Sequence, residues 1–373
     1  MAQRTKVLIL LPVFDLGGAE KQGVHIAKSL QESGLYDVEV WALITGSGML
    51  TEQLNAFNLK HKILNIPFSS FQNRIARLKV YFKFILELRK SKFDIIIPYT
   101  YHCNVLSAST FRFSRVQKCL WLQNAMEDTI PLSAFEKIAL KFKPIYAANS
   151  KAAAEFISNK HSFSKDKVKF IPNAFEKTES KNDIQTWRVK LGASLEDIVL
   201  VMPANFFPEK DQDTLIKGLE ILLKKHRNLI LVFAGGPINC AKANQLKALA
   251  FDLKLQDNVK FIGSTNDISG LLKAADVGIL STRSEGCPNS LIEFMGYGLP
   301  IVASNILPIT ELLGEEYPYL FKVEDINDFV KKTDLLLQKM SNIQDLIDKN
   351  KKTVSEIYSV DAKYTAFHKL IQN

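Results

Sequence analysis

Cysteine is scarce. Four cysteines (Cys103, Cys119, Cys240 and Cys287) stand among 373 residues, and no two share a CxxC spacing. That argues against a paired-cysteine zinc site and a disulfide framework, and a reducing cytoplasm is the compartment that fits. Long apolar runs are missing too. A membrane-spanning helix needs about 18 consecutive apolar residues. The strongest early run, VLILLPVF at Val7–Phe14, ends at Asp15. It lacks a secretory cleavage site and leads into a glycine-rich turn, so it reads as a buried first strand. Repeats of about 20–50 residues and low-complexity tracts are likewise missing. Acidic residues run short in one half only. Residues 1–180 hold 25 Lys+Arg against 15 Asp+Glu (+10), and residues 181–373 hold 23 against 24 (−1). The excess charge therefore lies in the first half, which would attract anionic partners such as acidic lipid or phosphorylated substrates. No helix-turn-helix or zinc-finger signature accompanies it, so nucleic acid is not expected as a partner.

What is present is alternation. Apolar strands such as KVLILLPVF, YDVEVWALI, FDIIIPYT, KCLWLQN and PIYAANS are each followed by helix-like sequence. This is the pattern of a parallel sheet covered on both faces. The polar stretch at 174–197 lacks an apolar strand and reads as an interdomain linker. The alternation then restarts with IVLVMPANF, LILVFAGG, VKFIG, DVGILST and PIVAS. The expected fold is α/β, two doubly wound domains in series.

The stretch RSEGCPNSLIEFMGYGLPIVAS, from Arg283 to Ser304, holds Glu285 and Glu293 around Gly286, Pro288 and Asn289. A strand before it and a helix within it place Glu285 in a strand-to-helix loop and Glu293 about one turn into the helix. Pro288 suits the helix start, with Asn289 or Ser290 as its cap. Ligands of open α/β sheets bind outside the carboxyl ends of strands. Amides at a helix start suit phosphate, and two carboxylates suit sugar or ribose hydroxyls. The plainer alternative is a capped helix with a surface Glu285 and a half-exposed Glu293.

These residues resemble the E-x7-E segment of retaining glycosyltransferases of family 4 (glycosyl transferases group 1). The resemblance extends along most of the chain, through LPVFDLGGAEKQGVHIAKSLQESG, YHCNVLSAS, ANSKAAAEF, IPNAF, PANFFPEKDQDTLIKGLEIL and YSVDAKYTAFHKLI. It implies GT-B architecture, two Rossmann-like domains facing across a cleft. Residues 1–178 would form the acceptor-side domain and 179–357 the nucleotide-sugar donor domain, with 358–373 a helix returning to the first domain.

The resemblance also implies roles. Glu285 would lie at the donor sugar and Glu293 on the nucleotide ribose, with the stretch Gly286, Cys287, Pro288, Asn289 and Ser290 offering backbone donors at every position but Pro288, which has no N–H. Gly17 and Gly18 would close over the diphosphate, or form an ordinary turn. Lys210 would neutralise the diphosphate, or be a solvated loop lysine. Many relatives carry Arg where this chain has Asn205 and Phe206, so Lys210 or Arg283 would take more of that task. His102, placed in a loop after FDIIIPYT, would bind a sugar hydroxyl or orient the acceptor, and Asn104 would follow it on the acceptor side; both could instead be structural. The DQD at Asp211–Asp213 is read as a helix opening rather than a metal motif. No metal and no cofactor are expected beyond the nucleotide sugar as co-substrate.

The implied reaction moves a hexose or N-acetylhexosamine, UDP-linked by default, to a glycan or lipid-linked acceptor with retained anomeric configuration, in surface-polysaccharide or lipopolysaccharide biosynthesis. Rival readings are a non-catalytic sugar-nucleotide-binding scaffold and a nucleotide-sugar epimerase of the same fold. Phe71–Phe93 carries seven Lys/Arg and one Glu among Phe, Ile, Leu and Tyr. Such basic amphipathic helices lie on anionic membrane surfaces, which would put the protein on the cytoplasmic face of a membrane. The alternative is a core face opposite a solvated basic face.

Overall fold

The computed structural model describes residues 4–15, 17–71, 73–124 and 133–372. It forms two compact units, Met1–Ala174 with Ser359–Asn373, and Phe175–Tyr358. Among the described residues, the strands of the first unit are β1 (Thr5–Val13), β2 (Tyr36–Ile44), β3 (Lys60–Ile63), β4 (Ile95–Pro98), β5 (Lys118–Gln123), β6 (Ile145–Ala148) and β7 (Lys169–Phe170). They lie in the order β3-β2-β1-β4-β5-β6-β7, all parallel. The second unit holds β8 (Ile198–Pro203), β9 (Leu229–Ala234), β10 (Val259–Phe261), β11 (Val277–Leu280), β12 (Ile301–Ser304) and β13 (Leu320–Phe321). Their order is β10-β9-β8-β11-β12-β13, again parallel.

Parallel strands buried on both faces need apolar residues at every position, and β1, TKVLILLPV, supplies them. Side chains alternate across the pleat. Val7, Ile9 and Leu11 pack with Val24, Ile26 and Leu30 of the helix Gly18–Glu32 and with Phe367 and Ile371 of the helix Val360–Gln372. Leu8 and Leu10 face the other layer, with Phe84, Leu88 and Trp121. The terminal helix is also tied by polar contacts: Lys363 Nζ donates to Gln22 O at 2.9 Å, and Tyr36 meets His368 Nδ1 at 2.8 Å.

Both sheets follow one winding rule. The chain enters at a central strand, winds out to one edge, and returns to that strand's other side. The returns run from β3 to β4, beside β1, and from β10 to β11, beside β8, and the crevice outside the carboxyl ends of β1 and β4, and of β8 and β11, is the ligand position of such sheets.

The linker reading of residues 174–197 needs correction. The helix Ile184–Leu191 lies within it and belongs to the second unit. Trp187 is 1% exposed and donates to Asp267 Oδ2 at 2.9 Å, while Arg188 reaches Asp276 Oδ2 at 2.8 Å. A two-turn helix that buries chiefly Trp187, Arg188 and Leu191 shows no apolar periodicity, so its sequence reads as polar coil.

Candidate active site

In the second unit, two loops meet at the β8/β11 return. Residues 204–211 lead from β8 to the helix Gln212–Leu222, and residues 281–288 lead from β11 to the helix Asn289–Tyr297. The backbone joins them: Lys210 forms an antiparallel bridge with Thr282, Arg283 N donates to Glu209 O at 2.8 Å, and Asp211 N donates to Ser281 O at 3.1 Å. This bridge brings Lys210 Nζ onto the Glu285 carboxylate, with side chains 18% and 13% exposed. Two residues 75 positions apart thus form one half-buried ion pair at the carboxyl edge of the sheet.

Arg283 leans the other way. Its guanidinium donates to Glu324 Oε1 at 2.8 Å through Nε, to the Pro208 carbonyl, and weakly to Asp211 Oδ1 at 3.5 Å. The bond to Glu324 and the charge of Asp211 raise its pKa further above the usual arginine value. Arg283 therefore clamps the lysine loop and its charge is already matched. The DQD aspartates are engaged too: Asp211 accepts from Ser281 Oγ at 3.2 Å, and Asp213 pairs with Lys242. Among the described residues, no group of three or more His, Cys, Asp or Glu is placed to hold a metal ion.

The helix Asn289–Tyr297 starts differently from the expectation. Pro288 occupies the N-cap and supplies no side-chain cap, and Asn289 and Ser290 are already helical. Proline suits the position because its φ of −71° fits and its missing N–H costs nothing at a helix start. The Pro288 carbonyl accepts from Leu291 at 3.2 Å and Ile292 at 3.3 Å. Gly286, Cys287 and Pro288 are buried, with Cys287 in the hydrophobic core, whereas Asn289, Ser290 and Glu293 are half-buried.

In the first unit, Gly17 and Gly18 follow β1 and His102 follows β4, so they flank that sheet's return. His102 lies in the first turn of the helix Tyr101–Thr110, not in a loop. The turn before it is a strained Thr100 at φ 75°, a rare conformation for a β-branched residue. The His102 ring packs against Phe68 and Phe71, each at 5.3 Å, and edge-on to Tyr101 at 5.6 Å. Asn104 is 2% exposed and exchanges two hydrogen bonds with Leu122, Nδ2 to O at 2.7 Å and N to Oδ1 at 3.2 Å. Its side chain fastens this helix to β5. A Cβ at Gly17 would meet the Glu20 carboxylate, so a larger residue there would displace that side chain.

Glu20 went unnoticed in the sequence, although GGAE puts it three residues after Gly17. Burial lifts its pKa from 4.5 to about 7; its own backbone N–H opposes the rise and the charge of Asp15 adds to it. A carboxyl with a raised folded-state pKa stabilises the fold below its unfolded value, and that contribution is lost as pH rises through about 7. Glu20→Gln should therefore match wild type near about pH 4 and exceed it by up to about 3 kcal/mol near about pH 8. Thermal melts across that range check this, and an unchanged difference between the two ends would refute it.

Residues 183–353 match the family model described as glycosyl transferases group 1. That segment is a glycosyl transferases group 1 domain. It contains Lys210, Arg283, Glu285 and Glu293. An uncharacterized glycosyltransferase of Haemophilus influenzae is 33% identical over 45% of this chain and 47% of its own length. The UDP-Gal:alpha-D-GlcNAc-diphosphoundecaprenol alpha-1,3-galactosyltransferase of Escherichia coli is 26% identical over 65% of this chain and 66% of its own. The match spans about half the length of the Haemophilus relative and somewhat less of a Bacillus subtilis one, at 44%. The solved structure of Anabaena HepE in complex with UDP-glucose superposes with a TM-score of 0.82 at 19% identity, covering 99% of this chain and 100% of that one. At that identity the likeness is one of fold, and the fold is the expected GT-B one of two Rossmann-like units.

Proposed function

We propose that the protein transfers a hexose or N-acetylhexosamine from a nucleotide sugar, UDP-linked, to a hydroxyl of a glycan or lipid-linked acceptor, with retention, in surface-polysaccharide or lipopolysaccharide biosynthesis. The observation that carries this reading is the Lys210–Glu285 pair at the β8/β11 return, followed by Glu293 in the adjoining helix. The E. coli relative is named for galactose transfer from UDP to a diphosphoundecaprenol-linked sugar, and HepE is complexed with UDP-glucose; both names support the donor class.

On this reading, Glu293 accepts from the ribose hydroxyls and Glu285 from the sugar. The backbone N–H groups of Gly286, Cys287, Asn289 and Ser290 and the glycine loop at Gly17 and Gly18 line the diphosphate. Lys210 faces the phosphates, and His102 meets the sugar or the acceptor. The bond between the anomeric carbon and the phosphate oxygen breaks as the acceptor oxygen attacks from the same face. The electron pair leaves on the diphosphate, and the acceptor's proton passes to the departing phosphate oxygen. The protein's contribution is positioning and electrostatic stabilisation of that growing charge. No metal and no further cofactor are assigned.

A thermal-shift screen against UDP, GDP, ADP and their sugar conjugates tests the reading, with Glu293→Ala in parallel. At a ligand concentration about 100-fold above Kd the folded state gains about 2.7 kcal/mol. A rise with UDP or a UDP-sugar that is lost in Glu293→Ala is expected. No rise with any nucleotide would overturn the reading, and a rise without sugar transfer to any acceptor would turn it towards a scaffold. Conversion of the sugar nucleotide without acceptor would turn it towards an epimerase.

A further inference from the structure

The helix Arg74–Ser91 departs from the alternative drawn for it, a core face opposite a solvated basic face. Its inner face is ordinary: Tyr81, Phe84 and Leu88 are buried in the first unit's core. Its outer face is not a solvated polar face. Ile75, Leu78, Phe82 and Leu86 are 68%, 61%, 65% and 39% exposed. Their spacings of three, four and four residues align them in one stripe on a face of the helix turned away from the buried residues. The stripe runs for about 17 Å along the helix. Isolated exposed apolar residues are common, but four large ones in line mark an interaction surface.

The charges around the stripe select its partner. Lys79, Lys83 and Lys90 flank it on one side, and Arg89 lies at its carboxyl end. The helix has one acidic residue, Glu87, which is held by Lys62 at 2.5 Å and Lys90 at 3.9 Å. No carboxylate among the described residues lies within ion-pair distance of Lys79, Lys83 or Arg89. Arg89 Nε instead donates to the carbonyl of Phe113 at 2.9 Å, a further phenylalanine that is 53% exposed, and Arg112 and Arg115 beside it are exposed. A second copy of this face would bring like charges together, and a nucleic-acid backbone would leave the apolar stripe uncovered. An interface with acyl chains beneath anionic headgroups satisfies both features.

We propose that the outer face of the helix Arg74–Ser91 docks on an anionic phospholipid bilayer, with Ile75, Leu78, Phe82 and Leu86 inserted among the headgroups and the flanking lysines on lipid phosphates. The surface lies wholly in the first unit, and the proposal requires neither donor nor acceptor.

Co-sedimentation of the full chain with vesicles tests it, using phosphatidylcholine alone or with about a third phosphatidylglycerol. Wild type pellets with the anionic vesicles and remains in the supernatant with the neutral ones. The double variant Leu78→Glu/Phe82→Glu lowers the bound fraction about tenfold or more, and Lys79→Glu/Lys83→Glu does so as well. Phe251→Glu, which replaces a phenylalanine 68% exposed in the second unit, binds as wild type does. All these positions are exposed, so melting temperatures stay unchanged. The proposal is overturned if wild type ignores anionic vesicles or if the Leu78/Phe82 variant binds equally well. A dimer in light scattering that the same variant converts to monomer also overturns it, because a second copy would then cover the stripe.

Discussion

Lys210→Ala is expected to slow sugar transfer by about 10²–10³-fold, the usual consequence of removing one preorganised partner of a developing charge. A cation about 4 Å from a phosphate contributes roughly 4 kcal/mol at an effective dielectric near 20. A helix N-terminus contributes about 0.3–1 kcal/mol and fades within a turn. Arg283 cannot replace the lysine without leaving Glu324 and the Pro208 carbonyl, which hold it in the loop. The lysine is already anchored by Glu285, so its removal also leaves a carboxylate only 13% exposed without its counter-charge. The two substitutions should therefore be non-additive: Glu285→Gln in the Lys210→Ala background should cost much less than in wild type. Initial rates at saturating donor and acceptor for the two single variants and the double variant measure this coupling. A Lys210→Ala enzyme within about threefold of wild type would remove the lysine from the chemistry, since a lost charge contact is worth far more.

The parts of this site that were legible in the sequence were local. Glu285, Gly286, Pro288 and Glu293 lie within nine residues of one another, and the strand and helix around them are apolar and regular. The long strands were legible for the same reason: β2 coincides with the expected YDVEVWALI. The short edge strands β3, β7 and β13 were not, because KHKI, KF and LF are too brief to show a period. The Lys210–Glu285 contact was illegible because it depends on the register between two loops 75 residues apart. The commitment of Arg283 to Glu324 depends likewise on a turn 41 residues further on. The outer stripe of the helix Arg74–Ser91 was hidden by composition. Lysines and apolar residues interleave there in a pattern that gives basic amphipathicity on paper, and only burial separates its two apolar faces.

The second large effect is expected away from the donor loop. Glu136→Ala should destabilise the first unit by about 3–5 kcal/mol, the cost of breaking a buried charged network. The Glu136 side chain is fully buried; it accepts from His161 Nε2 at 2.9 Å and from Tyr101 OH at 2.7 Å, and Lys160 stands 3.4 Å away. It also completes the capping box of the helix Ala134–Phe142 with Ser133. Burial alone would raise its pKa, but the bonds from His161 and Tyr101 and the charge of Lys160 outweigh it and hold the carboxyl below 4.5. The stability it contributes is therefore present above the unfolded carboxylate value and is lost as pH falls through the lower folded one. Glu136→Gln keeps an acceptor without the charge, so it should lie between wild type and alanine at neutral pH and converge on wild type in acid. Denaturant melts followed by tryptophan fluorescence read this directly, since Trp121 stacks edge-on to His161 at 5.0 Å. The network also reaches the first unit's candidate site: Tyr101, released from Glu136, is the neighbour whose ring meets His102. Glu136→Gln should accordingly lower kcat at temperatures where the protein remains folded, and unchanged kcat beside a lowered Tm would confine Glu136 to stability.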